Sequence, residues 1–359
     1  MRVLTVNPGS SSLKLSMLDA DDTVAAHAEL ASGAAERQGE RLAAMLSDMP
    51  APDAIGIRFV HGGADYTGPV RVDDDVVKRL HQLADLAPLH QPLSLYALGE
   101  IRRALPDVPV VACFDTAFHT TMPDAAATFP VPAEWRERFR LRRYGFHGLS
   151  HAYATRRARQ MLGRDVRLVV CHLGSGASLA AVADGRSRDT TMGFTPQDGL
   201  VMATRPGSID PGLLLWLLHH HITLEDLDDA LTHRSGLLAL AGTPDMREIE
   251  QRAADGDAPA RLALDVYHHR LRGSIAAMAA SLGGLDALVF TGGIGEHDAH
   301  LRRRTAEGLA HLGVAVDDQA NDNAHGDDDI TASGAKARTL VVTSREDLEI
   351  ASGVRAILT

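Results

Sequence analysis

The sequence predicts an α/β protein of two domains that repeat one plan. At 359 residues the chain is long enough for about two domains, each with its own core. Short apolar runs that read as buried strands alternate with longer stretches of helical period. One unit also occurs twice: an apolar strand, a Gly/Ser turn and an alternating strand, as VLTVNPGSSSLKLSML from residue 3 and as LVVCHLGSGASLAAVA from residue 168. Two such hairpins predict two copies of one fold facing each other, with phosphates held between the turns.

The first hairpin has the parts of a phosphate-binding turn. Glycine lets the backbone approach an anion, the serines supply hydroxyls and Lys14 supplies charge. A plain surface hairpin fits the same letters. Composition narrows the partners. A net charge of −11 gives the chain no overall attraction to nucleic acid or to an anionic membrane, so an anionic substrate must meet local arginines. The two cysteines, Cys113 and Cys171, sit in apolar runs, which excludes a disulfide framework and fits a reducing compartment. No apolar run approaches the roughly 20 residues of a membrane helix, and the one at the N-terminus is too short for a secretory signal, so a cytoplasmic location is expected.

Along the chain, residues 20–52 are weakly patterned and predict an edge strand and a short helix. Residues 54–60 (AIGIRFV) read as a strand that carries Arg58 and ends in His61-Gly62-Gly63, where backbone comes close to something. Arg58 is either a surface or ion-paired arginine or part of a site. Residues 72–86 and the stretch from Ser94 to Leu105 have helical spacing, and the second stops before Pro106. Residues 109–114 form a strand that ends in Asp115. That is where α/β proteins place chemistry, although Asp115 could instead cap the next helix. In RLRRYGFHGLSH, His147 and His151 stand four apart, but Gly148 occupies the place a zinc-protease glutamate would need. Residues 153–162 then read as a basic amphipathic helix with a solvated face.

The second half opens with the repeated hairpin and the Asp184-Gly185 turn. Residues 190–211 have no period and predict a long ordered loop carrying Arg205, which ends at Asp210 as N-cap and Pro211 at the first helical position. TPDMREIE begins a helical region, and Leu264, Tyr267, Leu271, Ile275 and Met278 step along one core-facing helix up to Gly283-Gly284. Residues 285–290 form a strand running into a loop, Gly292 to His297. Neither Gly-rich loop completes a Gly-x-Gly-x-x-Gly pattern and no P-loop occurs, so a Rossmann or Walker nucleotide site is disfavoured. The aspartates between 317 and 329 lack the closing glutamate of a calcium loop and predict an exposed acidic loop. A last strand at 339–343 precedes a C-terminal helix capped around Ser344 to Asp347.

Eight stretches in order resemble the acetate/propionate kinase family of the actin-like, sugar-kinase and Hsp70 superfamily: VNPGSSSLK, RFVHGG, FDTAFH, RRYGFHGLSH, CHLGSGAS, TMGFTPQDGLVMATRPGSIDP, FTGGIGEH and SREDLEIA. The resemblance implies two ribonuclease H-like domains with a cleft between them, one formed by residues 1–118 with 349–359 and the other by 119–348. It implies a Mg²⁺-dependent (or Mn²⁺-dependent), reversible transfer of the γ-phosphoryl group of ATP to acetate, giving ADP. Propionate or another short carboxylate is the alternative acceptor. A homodimer is the family's habit. An ATP-driven binding protein like Hsp70 or actin is the rival on the same fold.

Residue by residue, the resemblance implies that Asn7 and Glu346 help hold the metal and that Ser10, Ser12 and Lys14 lie at the phosphates. His172, Leu173, Gly174, Ser175 and Gly176, Asp245, Met246 and Arg247, and Gly293, Ile294, Gly295, Glu296 and His297 would form the nucleotide site. Arg58 and Arg205 would meet carboxylate and phosphoryl group, His147 would stabilise the transition state, Asp115 matches the catalytic aspartate, and Val60, Leu89 and Pro196 match the apolar pocket for the methyl group. In-line phosphoryl transfer needs charge on equatorial oxygens neutralised by fixed donors, for which arginine is suited. A carboxylate nucleophile is already ionised at pH 7, so Asp115 is expected to orient more than to move a proton. Departures from the family pattern are a shortened stretch between Lys14 and Arg58, Ser175 and His297 in place of asparagines, Gln91 in place of an asparagine before Pro92, and Pro206 and Ser208 after Arg205.

Overall fold

The computed structural model describes residues 1–9, 12–31, 42, 45, 46, 48–88 and 90–359. They form two compact units, Met1–Thr120 with Phe146–Tyr153 and Arg345–Thr359, and Thr121–Gly145 with Ala154–Ser344. The expected boundary near residue 118 left Phe146–Tyr153 with the second domain. In the structure backbone bonds such as Gly148 N–H to the Asp115 carbonyl tie that segment to the first unit.

The first unit holds a six-stranded sheet of β1 (Val3–Pro8), β2 (Ser12–Leu18), β3 (Val24–Ala31), β4 (Ala54–Phe59), β5 (Val70–Arg71) and β6 (Val110–Phe114), in the order β3-β2-β1-β4-β6-β5. β1, β2 and β3 form antiparallel hairpins, whereas β4 lies parallel to β1 and β6 parallel to β4. Residues of β1, β4 and β6 are buried almost throughout, as a sheet covered on both faces requires. One face packs the helix Gln91–Ala104 through Leu98 and Ile101 with Phe59 and Phe114. The other packs the C-terminal helix Glu346–Leu358 through Ile350, Ala351 and Val354 against Val3, Ala54, Val111 and Cys113. Of the edge strand and short helix expected within residues 20–52, β3 is the strand, and most of the stretch between it and residue 48 lies outside the described residues.

The second unit repeats the plan. Its strands β7 (Leu168–Leu173), β8 (Ala177–Ala183), β9 (Arg186–Thr190), β10 (Ala287–Thr291), β11 (Asp328–Asp329) and β12 (Arg338–Val341) run in the order β11-β12-β10-β7-β8-β9, the same sequence of neighbours as in the first sheet. β7 and β8 pair antiparallel, with β10 parallel to β7 and β12 parallel to β10. The repeated hairpin was therefore a true signal of a repeated fold. β9 was not legible. RSRDT has no apolar alternation, and it is held as an edge strand by the turn at Asp184 and Gly185, both in left-handed conformation, and by pairing with β8. Two loops proved to be structured. Gly292–His297 is a short helix, and the acidic stretch contains the helix Asp318–Asp322, where Arg303 bonds Asp318 and Asp322 at 2.6 Å, and the edge strand β11, which pairs with β12. The long stretch between β9 and the helix Pro211–His219 is irregular as expected, and Asp210 caps that helix. Both cysteines are free and buried, and among the described residues no helix is long and apolar enough to cross a membrane.

Gly56 on β4 sits under the C-terminal helix, and a Cβ there would stand 2.4 Å from the Ile350 Cγ2 and 2.7 Å from the Val354 Cγ2. Gly56→Ala is expected to lower the unfolding free energy by about 1–3 kcal/mol through overpacking, read as a lower urea midpoint at unchanged slope. Ile350→Ala in the same chain should recover part of the loss, and simple additivity of the two would show that the contact is not the cause.

Candidate active site

In the first unit the C-terminal ends of the parallel strands carry the polar residues, as open α/β sheets place them. Asn7 lies near the end of β1, Arg58 near the end of β4 and Asp115 directly after β6, and Glu346 begins the C-terminal helix. Arg58 Nε donates to Asp115 Oδ1 at 3.0 Å and Nη2 to Oδ2 at 2.6 Å, a bidentate clamp. Arg58 Nη1 donates to Asn7 Oδ1 at 3.0 Å and stands 3.5 Å from Glu346 Oε2, to which Asn7 Nδ2 donates at 2.7 Å. Arg58 is ion-paired within a buried polar cluster, and the Asp115 carboxylate is given to Arg58 rather than to a helix cap.

This cluster is nearly dry, with Asp115 1% and Arg58 13% exposed at the side chain. Burial pushes Asp115 up, to about 6, against the pull of Arg58 and the His147 N–H and with the repulsion of Glu346. Burial would pull the Arg58 guanidinium down, and Asp115 and Glu346 more than offset it. Both directions leave the pair ionised at pH 7. His147 adopts a left-handed conformation (φ 56°), and its backbone N–H bonds the Asp115 carboxylate. The next residue must be glycine, since a Cβ on Gly148 would lie 2.0 Å from the Asp115 carbonyl oxygen. Beneath them His119 is fully buried with Nε2 3.0 Å from the Phe146 carbonyl, and burial lowers its pKa to about 4, so it is neutral at pH 7.

Gln91 entered the sequence reading only as a departure, yet it fixes the turn after β4. It is fully buried, its Nε2 donates to the His61 carbonyl at 3.1 Å and its Oε1 accepts from the His61 N–H. Val60 is buried beside that turn, while Leu89 and Ser10 lie outside the described residues. Lys14 is exposed and stands opposite Asn7 on β1 and Glu29 on β3, and the Ser12 hydroxyl donates to Glu29.

Among the described residues no group of three or more His, Cys, Asp or Glu could hold a metal alone. The donor set at Asn7 and Glu346 nonetheless fits Mg²⁺, a hard cation that uses one or two carboxylates and completes its shell with water and phosphate oxygen.

In the second unit the ends of β7 and β10 border a cavity of about 860 Å³. Of the residues expected at the nucleotide, Gly174, Ser175, Asp245, Met246, Arg247, Gly293, Ile294 and His297 line it. The Gly174 N–H bonds the Gly176 carbonyl to close the turn after His172 and Leu173, and the Ser175 carbonyl accepts from Ala203. Glu296 is spent on the scaffold. One of its oxygens accepts both the Gly292 N–H, at the start of the short helix that contains Gly295, and the Ser344 N–H, at 2.9 Å each. Asp245 caps the helix Met246–Ala254 and is clamped by the Arg247 side chain, which lowers the Asp245 pKa. Sequence reasoning missed Met202, Ala203 and Leu237, which come from aperiodic or short segments, and assigned Tyr267 wholly to the core because its helical stripe is apolar.

Arg205 is half-buried, and its Nη1 donates to the Pro196 carbonyl at 2.6 Å. It makes no ion pair among the described residues, and desolvation alone lowers its pKa. Pro196 thus contributes its backbone oxygen as a tether. A desolvated guanidinium facing no carboxylate is poised for an anion.

A family model described as the acetokinase family matches residues 42–352. An acetate kinase of Nostoc punctiforme is 49% identical over 85% of this chain and 76% of its own length, and one of Clavibacter michiganensis is 42% identical over 97% of both. Among solved structures, a propionate kinase from Francisella tularensis superposes with a TM-score of 0.93 at 34% identity, over 99% of this chain and 100% of that one. An acetate kinase from Porphyromonas gingivalis superposes with 0.90 at 32% identity, over the whole of both.

The two arginines should respond oppositely to loss of charge. Arg58→Met strands Asp115 and is expected to cost about 3 kcal/mol of stability, the range for breaking a buried pair. Arg205→Met strands no charge and should leave stability unchanged or slightly raised. Urea titrations of both variants decide it, and an equal loss in the two would mean that Arg205 has a counter-charge after all.

Proposed function

Because the chain belongs to the acetokinase family, we propose that it transfers the γ-phosphoryl group of ATP to acetate, reversibly, giving acetyl phosphate and ADP. The observation that carries the site assignment is Arg205, a desolvated cation that makes no ion pair among the described residues, in the unit that holds the nucleotide cavity. An ATPase that transferred nothing would have no use for such a guanidinium.

In this reading the nucleotide occupies the second unit's cavity, with its phosphates toward the Gly174–Ser175 turn. Acetate lies at Arg58, its methyl group against Val60. Arg58 has five N–H groups; Asp115 and Asn7 engage three of them and Glu346 Oε2 stands 3.5 Å from Nη1, which leaves the second Nη2 donor for a substrate carboxylate. Asp115 acts by orientation. Its clamp fixes the guanidinium plane, so the incoming carboxylate meets a preorganised fork. One acetate oxygen attacks the γ-phosphorus as the bond to the ADP oxygen breaks, and that oxygen keeps the electron pair. No proton must move, because the nucleophile is already ionised. Arg205 and His147 are assigned to the equatorial oxygens, where charge must be neutralised in a dry site. Mg²⁺, held with the help of Asn7 and Glu346, would neutralise charge on the phosphates.

The test is trapping of acyl phosphate as hydroxamate with ATP, Mg²⁺ and acetate, propionate or butyrate. Acetyl hydroxamate is expected to predominate, and no hydroxamate with any acid would sink the reading. Arg205→Lys should lower kcat/KM by about 100-fold or more, since a point charge does not replace the fork. The sign of the Asp115 shift sets the pH dependence: its carboxyl is raised to about 6, so protonation loosens the Arg58 clamp as pH falls through that value. The kcat/KM profile should therefore descend below about pH 6, and Asp115→Asn should lack that limb.

A homodimer is part of the same reading. On and beside the helix Pro211–His219, Leu215, Trp216 and Leu224 are 60%, 55% and 68% exposed, more apolar surface than a lone helix leaves to water. Light scattering should give twice the chain mass, and Leu215→Ser with Trp216→Ser should halve it. A wild-type monomer would overturn the assignment.

A further inference from the structure

Arg205 makes no ion pair among the described residues, so its aim depends on the loop that carries it, and that loop is fastened to one helix end. The helix Leu224–His233 ends with Thr232, which is buried although the residues around it are polar. The Thr232 hydroxyl accepts from Gln197 Nε2 at 2.8 Å, and the Thr232 carbonyl accepts from the Thr204 hydroxyl at 2.9 Å. Gln197 follows Pro196, whose carbonyl takes the Arg205 Nη1–H at 2.6 Å, and Thr204 directly precedes Arg205. One residue therefore holds both ends of the arginine: the backbone from which the side chain springs and the oxygen that its guanidinium reaches.

The two links differ in kind. The carbonyls of a last helical turn have no partner within the helix, so the Thr204 hydroxyl satisfies a group that would otherwise need water. Backbone supports that side as well, because the Ser235 N–H bonds the Thr204 carbonyl at 3.0 Å and the Leu237 and Leu238 N–H groups bond the Met202 and Ala203 carbonyls at 2.9 Å each. The link to the Pro196 side is a bond between two side chains, Gln197 and Thr232, and it can be cut without touching backbone. We propose that Thr232 is a positioning residue for phosphoryl transfer, which aims the Arg205 guanidinium through Gln197 and Thr204. The inference rests on the role given to Arg205 above. A guanidinium that neutralises charge on equatorial oxygens acts by direction, since its donors must meet atoms whose places are set by the in-line geometry. Asp115 supplies that direction to Arg58 as a bidentate partner, and Thr232 supplies it to Arg205 through the loop.

Thr232→Val keeps a similar shape and removes the hydroxyl that accepts from Gln197. Its kcat for hydroxamate formation is expected to fall about 10-fold or more, the scale of a small misplacement at a reacting centre, with KM for ATP and acetate within about threefold. Thr232→Ser retains the hydroxyl and should stay within about twofold of wild type, whereas Gln197→Met removes the donor and should match Thr232→Val. In an Arg205→Lys background Thr232→Val should cost less than about twofold more, because its effect runs through Arg205. The full loss repeated in that background would make Thr232 merely structural and overturn the proposal, as would wild-type kcat in Thr232→Val or an equal loss in Thr232→Ser. If Thr232→Val does not fold, Gln197→Met alone and in the Arg205→Lys background decides the question by the same criteria. Crystal structures read the positioning without turnover: in Gln197→Met the Arg205 Nη1 is expected to have left the Pro196 carbonyl, and an unmoved guanidinium overturns the proposal. Absence of hydroxamate from wild type would remove the transfer reaction, and the place of Arg205 in that variant would still show whether Thr232 holds it.

Discussion

The Arg58–Asp115 clamp is the contact on which the first unit's polar site depends. It closes the ends of two parallel strands on each other and gives Asn7 and Glu346 a cation to face. Burial works against both ions, so the clamp persists only because its geometry is bidentate and its neighbours are fixed by backbone: the left-handed His147, the close pass of Gly148 under the Asp115 carbonyl and the turn held by Gln91. A guanidinium held this way has its plane and its donors fixed in one orientation.

The two units use one topology for opposite electrostatic purposes. At the strand ends of the first, two carboxylates outnumber one arginine, an arrangement suited to a cation and to a substrate that must displace little. In the second, Arg205 makes no ion pair among the described residues and the Gly174–Ser175 end of the cavity is built from turn backbone, an arrangement suited to anions. One sheet topology thus carries different polar side chains at equivalent strand ends of the two units. The scaffold also claims residues that a motif would assign to ligand. Glu296 bonds two backbone N–H groups, and Asp245 caps a helix and pairs with Arg247.

By itself the sequence determined the repeat, the buried parallel strands and the residues at their ends. Apolar runs closed by Gly, Ser or Asp turns depend only on local periodicity, and the motifs from VNPGSSSLK to SREDLEIA carry the family. It could not determine which polar residues face one another. Arg58 and Asp115 are far apart in the chain, and whether each was a surface charge, a cap or half of a buried pair depended on strand order, which is a long-range property. The same holds for β9, whose polar letters become a strand only because β8 offers an edge, and for Tyr267, whose place in an apolar stripe concealed a residue that also borders the cavity. Tertiary structure decided these points because burial and pairing are set by neighbours that the local pattern does not contain.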